Sequence, residues 1–157
     1  MEIKITKGRG TGDTYIAAFD AALKDAGVLD YNLIILSSVI PAGSQVTKRK
    51  PEHNSEEIGH RLYVVMSRSE ADASDASTYA GVGWAQRKDG SGVFVEEHGH
   101  TDKEVNSKIT ASLDALIEHR QGLGDAFISR DHLIERAEYN GKPACALVVA
   151  VYKSEPW

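Results

Sequence analysis

Apolar Ile3 and Ile5 alternate with polar neighbours, which predicts a first strand that Gly8, Gly10 and Gly12 bring to an end. The period then changes. Ile16, Phe19, Leu23 and Ala26 recur at helical spacing, predicting a helix capped by Asp13 or Thr14, closed by Gly27, and wet at Lys24 and Asp25. Asn32 to Leu36 is apolar on both faces, the pattern of a buried central strand. From Pro41 to His60 no period persists, and Lys48-Arg49-Lys50-Pro51 followed by a run from Glu52 to Glu57 reads as a long surface excursion. Strand patterns resume at Leu62 to Met66, Ala76 to Ala85 and Gly92 to Glu96, the last after the turn Lys88 to Gly92. Thr101 and Glu104 form a capping box for a second long helix whose buried face is Val105, Ile109, Leu113 and Leu116. Two further strands, Asp125 to Ala137 and Pro143 to Tyr152, meet near the Asn140-Gly141 turn. Two long helices among mostly consecutive strands make an α+β domain rather than repeated βαβ units, and no linker or internal repeat divides residues 1–157.

Composition narrows the classes. A chain of 157 residues buries roughly 70 % of its unfolded surface, so it needs neither a disulfide nor a structural metal. The lone Cys145 sits in the apolar run Ala144 to Val149 and reads as an inert core thiol. No basic apolar leader opens the chain, and no apolar stretch approaches the ~20 residues that cross a bilayer, so a cytoplasmic protein without membrane contact is expected. A net charge of −5 argues against nonspecific nucleic-acid binding and is compatible with a cationic ligand. Gly8-Arg9-Gly10-Thr11-Gly12 precedes a helix but lacks the lysine-hydroxyl pair of a P-loop. His98 and His100 would share a strand face, yet no third ligand accompanies them, so no metal site is expected.

One dipeptide changes the picture. Ser37-Ser38 closes the apolar run Leu33 to Leu36, stands before Val39-Ile40-Pro41, and follows Tyr31-Asn32 and the helical Ala18-Phe19-Asp20-Ala21-Ala22-Leu23. The segment from Thr11 to Pro41 resembles the pyruvoyl-dependent arginine decarboxylases, and the likeness continues more thinly to the C-terminus. It departs from many relatives at Ile40-Pro41-Ala42-Gly43, where Met-Pro-Pro is frequent. The resemblance implies an αββα sandwich with mostly antiparallel sheets, assembled as a homotrimer with active sites between subunits. It also implies a zymogen. Ser38 Oγ attacks the Ser37 carbonyl, an N-to-O acyl shift gives an ester, and elimination breaks the chain. The dehydroalanine left at position 38 loses ammonia to water and becomes a covalent pyruvoyl group. The substrate would be L-arginine and the products agmatine and carbon dioxide, in polyamine synthesis or acid consumption. Decarboxylation of another amino acid, and an unprocessed, non-catalytic trimeric homologue, are the alternatives.

A pyruvoyl ketone can act as a pyridoxal aldehyde does, as an electron sink for departing carbon dioxide. A carboxylic acid must then return a proton to the α-carbon. Glu96 and Glu97 face opposite sides of a strand, and Glu96 matches the family's glutamate after a glycine-led apolar run. Asn32, at the start of the strand that ends at Ser37-Ser38, matches a family asparagine and can donate to a carbonyl oxygen. Asp20 matches the aspartate that binds the substrate's basic end, where a bidentate carboxylate suits a planar guanidinium better than an ammonium. Leu23, one turn on, matches a residue beside the substrate.

Overall fold

The computed structural model describes residues 1–157. The chain runs through β1 (Glu2–Thr11), α1 (Tyr15–Ala26), β2 (Asn32–Ile35), β3 (Val39–Ile40), β4 (Gln45–Lys48), β5 (Arg61–Ala71), β6 (Ser77–Arg87), β7 (Gly92–Gly99), α2 (Asp102–Glu118), β8 (Phe127–Glu138) and β9 (Ala144–Glu155). Two sheets form, in the orders β2-β5-β9-β1-β4 and β3-β7-β6-β8. Pairing is antiparallel except where β4 joins β1 and β2 joins β5. Ile3, Ile5, Val65 and Val148 of the larger sheet meet Val82, Trp84 and Phe94 of the smaller, so the main core lies between the sheets. The helix α1 covers the outer face of the larger sheet and α2 that of the smaller, completing an αββα sandwich. No helix is long and apolar enough to cross a membrane.

Local chemistry explains the helix ends. Thr14 accepts from the Ala17 N–H, and Gly27 closes α1 in the left-handed region at φ 79°. Thr101 accepts from the Glu104 N–H, and the Glu104 carboxylate reaches back to the His100 N–H.

Several expectations are corrected by tertiary packing. Gly8 and Gly10 do not end β1. They let α1 lie directly on it, because a Cβ there would stand 2.3 Å from the Ala22 carbonyl oxygen and 2.5 Å from that of Ala18. Only alanine fits such a contact, so the buried helix face is Ala18, Ala22 and Ala26, whereas Ile16 is 72 % exposed. The strand β2 is not central but forms an edge, with β5 as its one neighbour. Leu33 packs beneath α1 and Leu36 turns toward the inter-sheet core, which accounts for apolarity on both faces, while Ile35 stays 56 % exposed. The excursion from Pro41 to His60 contains β4, an edge strand too short to show a period, and a 3₁₀ turn at Ser55–Glu57. The strands flanking Asn140-Gly141 are not a hairpin, since β8 pairs with β6 in one sheet and β9 lies between β5 and β1 in the other.

Candidate active site

Between β2 and β3 the chain leaves the edge of the larger sheet and enters the edge of the smaller, and Ser37-Ser38 occupies that crossing. Ser38 has φ 65°, one of two non-glycine residues in the left-handed region. That conformation costs a serine about 1–3 kcal/mol and persists only where surrounding structure imposes it.

The surroundings are specific. The Phe94 N–H donates to the Ser38 carbonyl at 2.8 Å, and Val39 and Ile40 pair with Val93 and Gly92 on β7. Ile40 is buried among Ile3, Ile5 and Phe94. This docking places Ser38 beside the inward face of β7, and its Oγ donates a hydrogen bond to Glu96 Oε1. Alternation along β7 puts the two glutamates on opposite faces of the sheet. Phe94 and Glu96 face the inter-sheet layer, whereas Glu97 lies on the α2 side and accepts from Ser112 Oγ at 2.6 Å. Cys145 is buried beneath α1, where burial pushes its thiol up to about 12.

Sequence patterns missed two neighbours. Tyr152 projects from β9 with the parity of Val148 and Ala150, and its hydroxyl donates to the Val39 carbonyl at 3.0 Å. Its ring meets Phe94 edge-on at 6.1 Å. Burial, with the Glu96 carboxylate second, raises the phenol above its ordinary value. The interruption of a long apolar run by a hydroxyl was its only sequence signal. The Phe94 amide gave none, because a backbone donor carries no side-chain signature.

The remaining candidates lie elsewhere in the chain. Asp20 is exposed on α1, and Leu23 packs into the cluster of Ala22, Val28, Leu62 and Val64 under that helix. The larger sheet therefore separates both from the Ser38–Glu96 pair. Asn32 opens β2, and its side-chain amide donates to the Gly59 carbonyl at 2.6 Å. Ser38 follows at the far end of the strand, up to ~20 Å away along an extended chain. One chain thus brings Ser37, Ser38 and Glu96 together but not Asn32, Asp20 or Leu23. A groove of ≈ 680 Å³ beside Lys4, Arg49, Lys153 and Ser154 includes neither Ser38 nor Glu96.

The sheet crossing thus holds a serine in a strained conformation against a carboxylate. The family model described as pyruvoyl-dependent arginine decarboxylase (PvlArgDC) matches residues 2–156, and the chain belongs to that family. It is 34% identical over 151 residues to a pyruvoyl-dependent arginine decarboxylase of Halobacterium salinarum, covering 96% of this chain and 92% of the relative. A protein of the same name from Thermoplasma volcanium is 32% identical over 110 residues, 68% of this chain and 60% of its own length. One from Methanococcoides burtonii is 28% identical over 109 residues, 68% and 61% of the two chains.

Proposed function

We propose that the chain cleaves itself between Ser37 and Ser38 and, as a homotrimer with sites between subunits, decarboxylates L-arginine to agmatine and carbon dioxide in the cytoplasm. The contact of Ser38 Oγ with Glu96, at a serine held at φ 65°, carries this reading. Glu96 accepts the hydroxyl proton as the oxygen adds to the Ser37 carbonyl carbon. The C–N bond then breaks, the nitrogen of residue 38 takes the proton, and an ester joins the two chain segments. Loss of the residue 38 α-proton expels Ser37 as a carboxylate and leaves dehydroalanine. Water then replaces the nitrogen, which departs as ammonia, and a ketone remains. The Phe94 N–H favours the elimination, because it stabilises the negative charge that the Ser38 carbonyl gains as the α-proton leaves.

Once formed, the pyruvoyl group supplies an electrophilic carbonyl that draws off the electron pair left by carbon dioxide. Glu96, already within hydrogen-bonding reach of the reacting residue, then serves as the acid that protonates the substrate α-carbon. Asp20 binds the guanidinium, Leu23 packs on the aliphatic stem, and Asn32 donates to a carboxylate or carbonyl oxygen. A neighbouring subunit supplies these three, since the larger sheet and the length of β2 keep a chain's own copies from its Ser38. The exposed Ile35 and Val39, each 56 % accessible on either side of the serine pair, support burial of this edge by such a neighbour.

Intact mass of fresh and aged protein tests the first half. The expected products are Met1 to Ser37 and a second chain beginning with a borohydride-sensitive carbonyl at position 38. Carbon dioxide release from arginine, lysine, ornithine, histidine and aspartate tests the second. A chain that stays whole, or one that turns over lysine as fast as arginine, would sink the corresponding half.

A further inference from the structure

The two sides of the Ser37–Ser38 peptide are held unequally. On the C-terminal side three consecutive residues are fixed: the Ser38 carbonyl by the Phe94 N–H, the Val39 carbonyl by the Tyr152 hydroxyl, and Ile40 by burial. On the N-terminal side the last backbone tie is the Leu36 N–H to the Val64 carbonyl at 2.9 Å. Ser37 is exposed, and no protein donor reaches its carbonyl.

We infer that Tyr152 is a positioning residue for the chain's own reacting end. It fixes the Val39 carbonyl, and with it the peptide between residues 39 and 40, so that residue 38 stays anchored from its C-terminal side before and after cleavage, while the new Ser37 carboxylate is free to leave. The inference rests on the self-cleavage proposed above. Its physical basis is the arrangement of partners. The strand β3 has only two residues, too few to hold a cut end by ladder bonds alone. Tyr152 reaches it from β9, in the opposite sheet, and the Phe94 ring braces the phenol. Fixing Val39 also holds the Ser38 carbonyl on the Phe94 N–H, so both hydrogen bonds orient the residue whose oxygen attacks and whose α-proton leaves. The departing Ser37 uncovers the face of residue 38 that a substrate must approach.

The test uses the full chain. Tyr152→Phe removes the donor and almost no volume. Self-cleavage should slow by roughly fivefold to tenfold, the scale of one neutral hydrogen bond, with little change in melting temperature. Replacing Tyr152 with 3-fluorotyrosine, which keeps a stronger donor, should restore the rate. A separate readout needs no cleavage. In the Ser38→Ala chain with carbonyl-13C valine, Tyr152→Phe should move one carbonyl stretch to higher frequency, and 3-fluorotyrosine should move the same band lower. Wild-type cleavage by Tyr152→Phe with an unmoved band overturns the inference. So does slower cleavage that tracks a lowered melting temperature with the band unmoved, which would make Tyr152 a packing residue. If the unsubstituted chain never cleaves, the proposed function fails instead, and the infrared band still decides whether Tyr152 holds Val39.

Discussion

The helices α1 and α2 cover the two sheets of the same sandwich, yet they meet those sheets differently. The helix α2 presses Val105, Ile109 and Leu113 onto the smaller sheet, where Gly83 makes room for Ile109, and its first turn opens with acids suited to a helix N-terminus. The helix α1 lies over β1 and β9, buries alanines alone and keeps Tyr15 and Ile16 exposed, and Ile35 of the edge strand β2 is exposed as well. One chain brings Ser38 and Glu96, the reacting groups of the function proposed above, into contact, whereas its proposed recognition groups Asp20, Leu23 and Asn32 lie away from them. On the function proposed above, a chain would assemble its own cleavage machinery before it meets a neighbour, and substrate binding would wait for assembly.

The largest effect should come from Ser38→Ala, which abolishes cleavage and all carbon dioxide release while leaving the fold intact, since it removes one oxygen and almost no volume. Its sharper use is in mixed assemblies. Ser38→Ala chains have Asp20 but no ketone, and Asp20→Asn chains have a ketone but no guanidinium ligand. Co-assembled, they should regain arginine turnover that neither shows alone, because a chain of each kind builds a working site across their interface. No recovery in verified mixed trimers would place Asp20 and Ser38 of one site in a single chain and break the comparison.

Next in size is Glu96→Gln. A donor needed only for turnover would leave cleavage untouched, but on the function proposed above the bond from Ser38 in the uncut chain would give Glu96 a part in both steps. Cleavage and turnover should each fall by roughly 10²–10⁴, the range for a positioned acid or base. Time courses of chain scission, followed by kcat measured on the fraction that matures, separate the two. Normal scission would confine Glu96 to turnover. Asn32→Ala should come third, lowering turnover by about 10²–10³ if its amide stabilises a developing oxyanion across the interface. Unimpaired activity with early melting would reduce it to the clasp on Gly59.

How much of this was legible follows the same division. The second helix with its capping box was readable because it rests on local spacing, whereas Ser37-Ser38 and Glu96 were singled out by the family resemblance, and the structure brings Ser38 and Glu96 into contact. The glycines of β1 were misread as terminators because the partner that makes them necessary, the alanine face of α1, is distant from β1 in contact terms until the helix folds back. The edge position of β2 was hidden for a related reason: a strand covered on both faces has the same composition whether the cover is its own chain or another. Tyr152 showed only as a hydroxyl interrupting an apolar run, because its contact with Val39 depends on the packing of two sheets, which no period reports.

The smallest expected effect concerns the excursion after Pro41. Tyr31, beside Asn32, donates its hydroxyl to Glu57 Oε2 at 2.9 Å and so ties the excursion after Pro41 to the start of β2. Tyr31→Phe should lower stability near neutrality by about 0.5–1.5 kcal/mol, the net worth of one hydrogen bond, because Asn54 still donates to the Glu57 carboxylate. The alkaline arm gives the sign. Burial first, and Glu57 second, push the Tyr31 phenol from 10.0 to about 12. The unfolded chain therefore loses this proton before the folded one does. The contribution of Tyr31 is constant below pH 10.0 and declines as the pH rises toward about 12. Urea midpoints at neutral and alkaline pH should fall less steeply with pH in the phenylalanine variant. They should still fall, because the Tyr15 and Tyr63 phenols are also raised by carboxylate partners. Equal slopes in the two proteins would mean that Tyr31 does not hold the excursion.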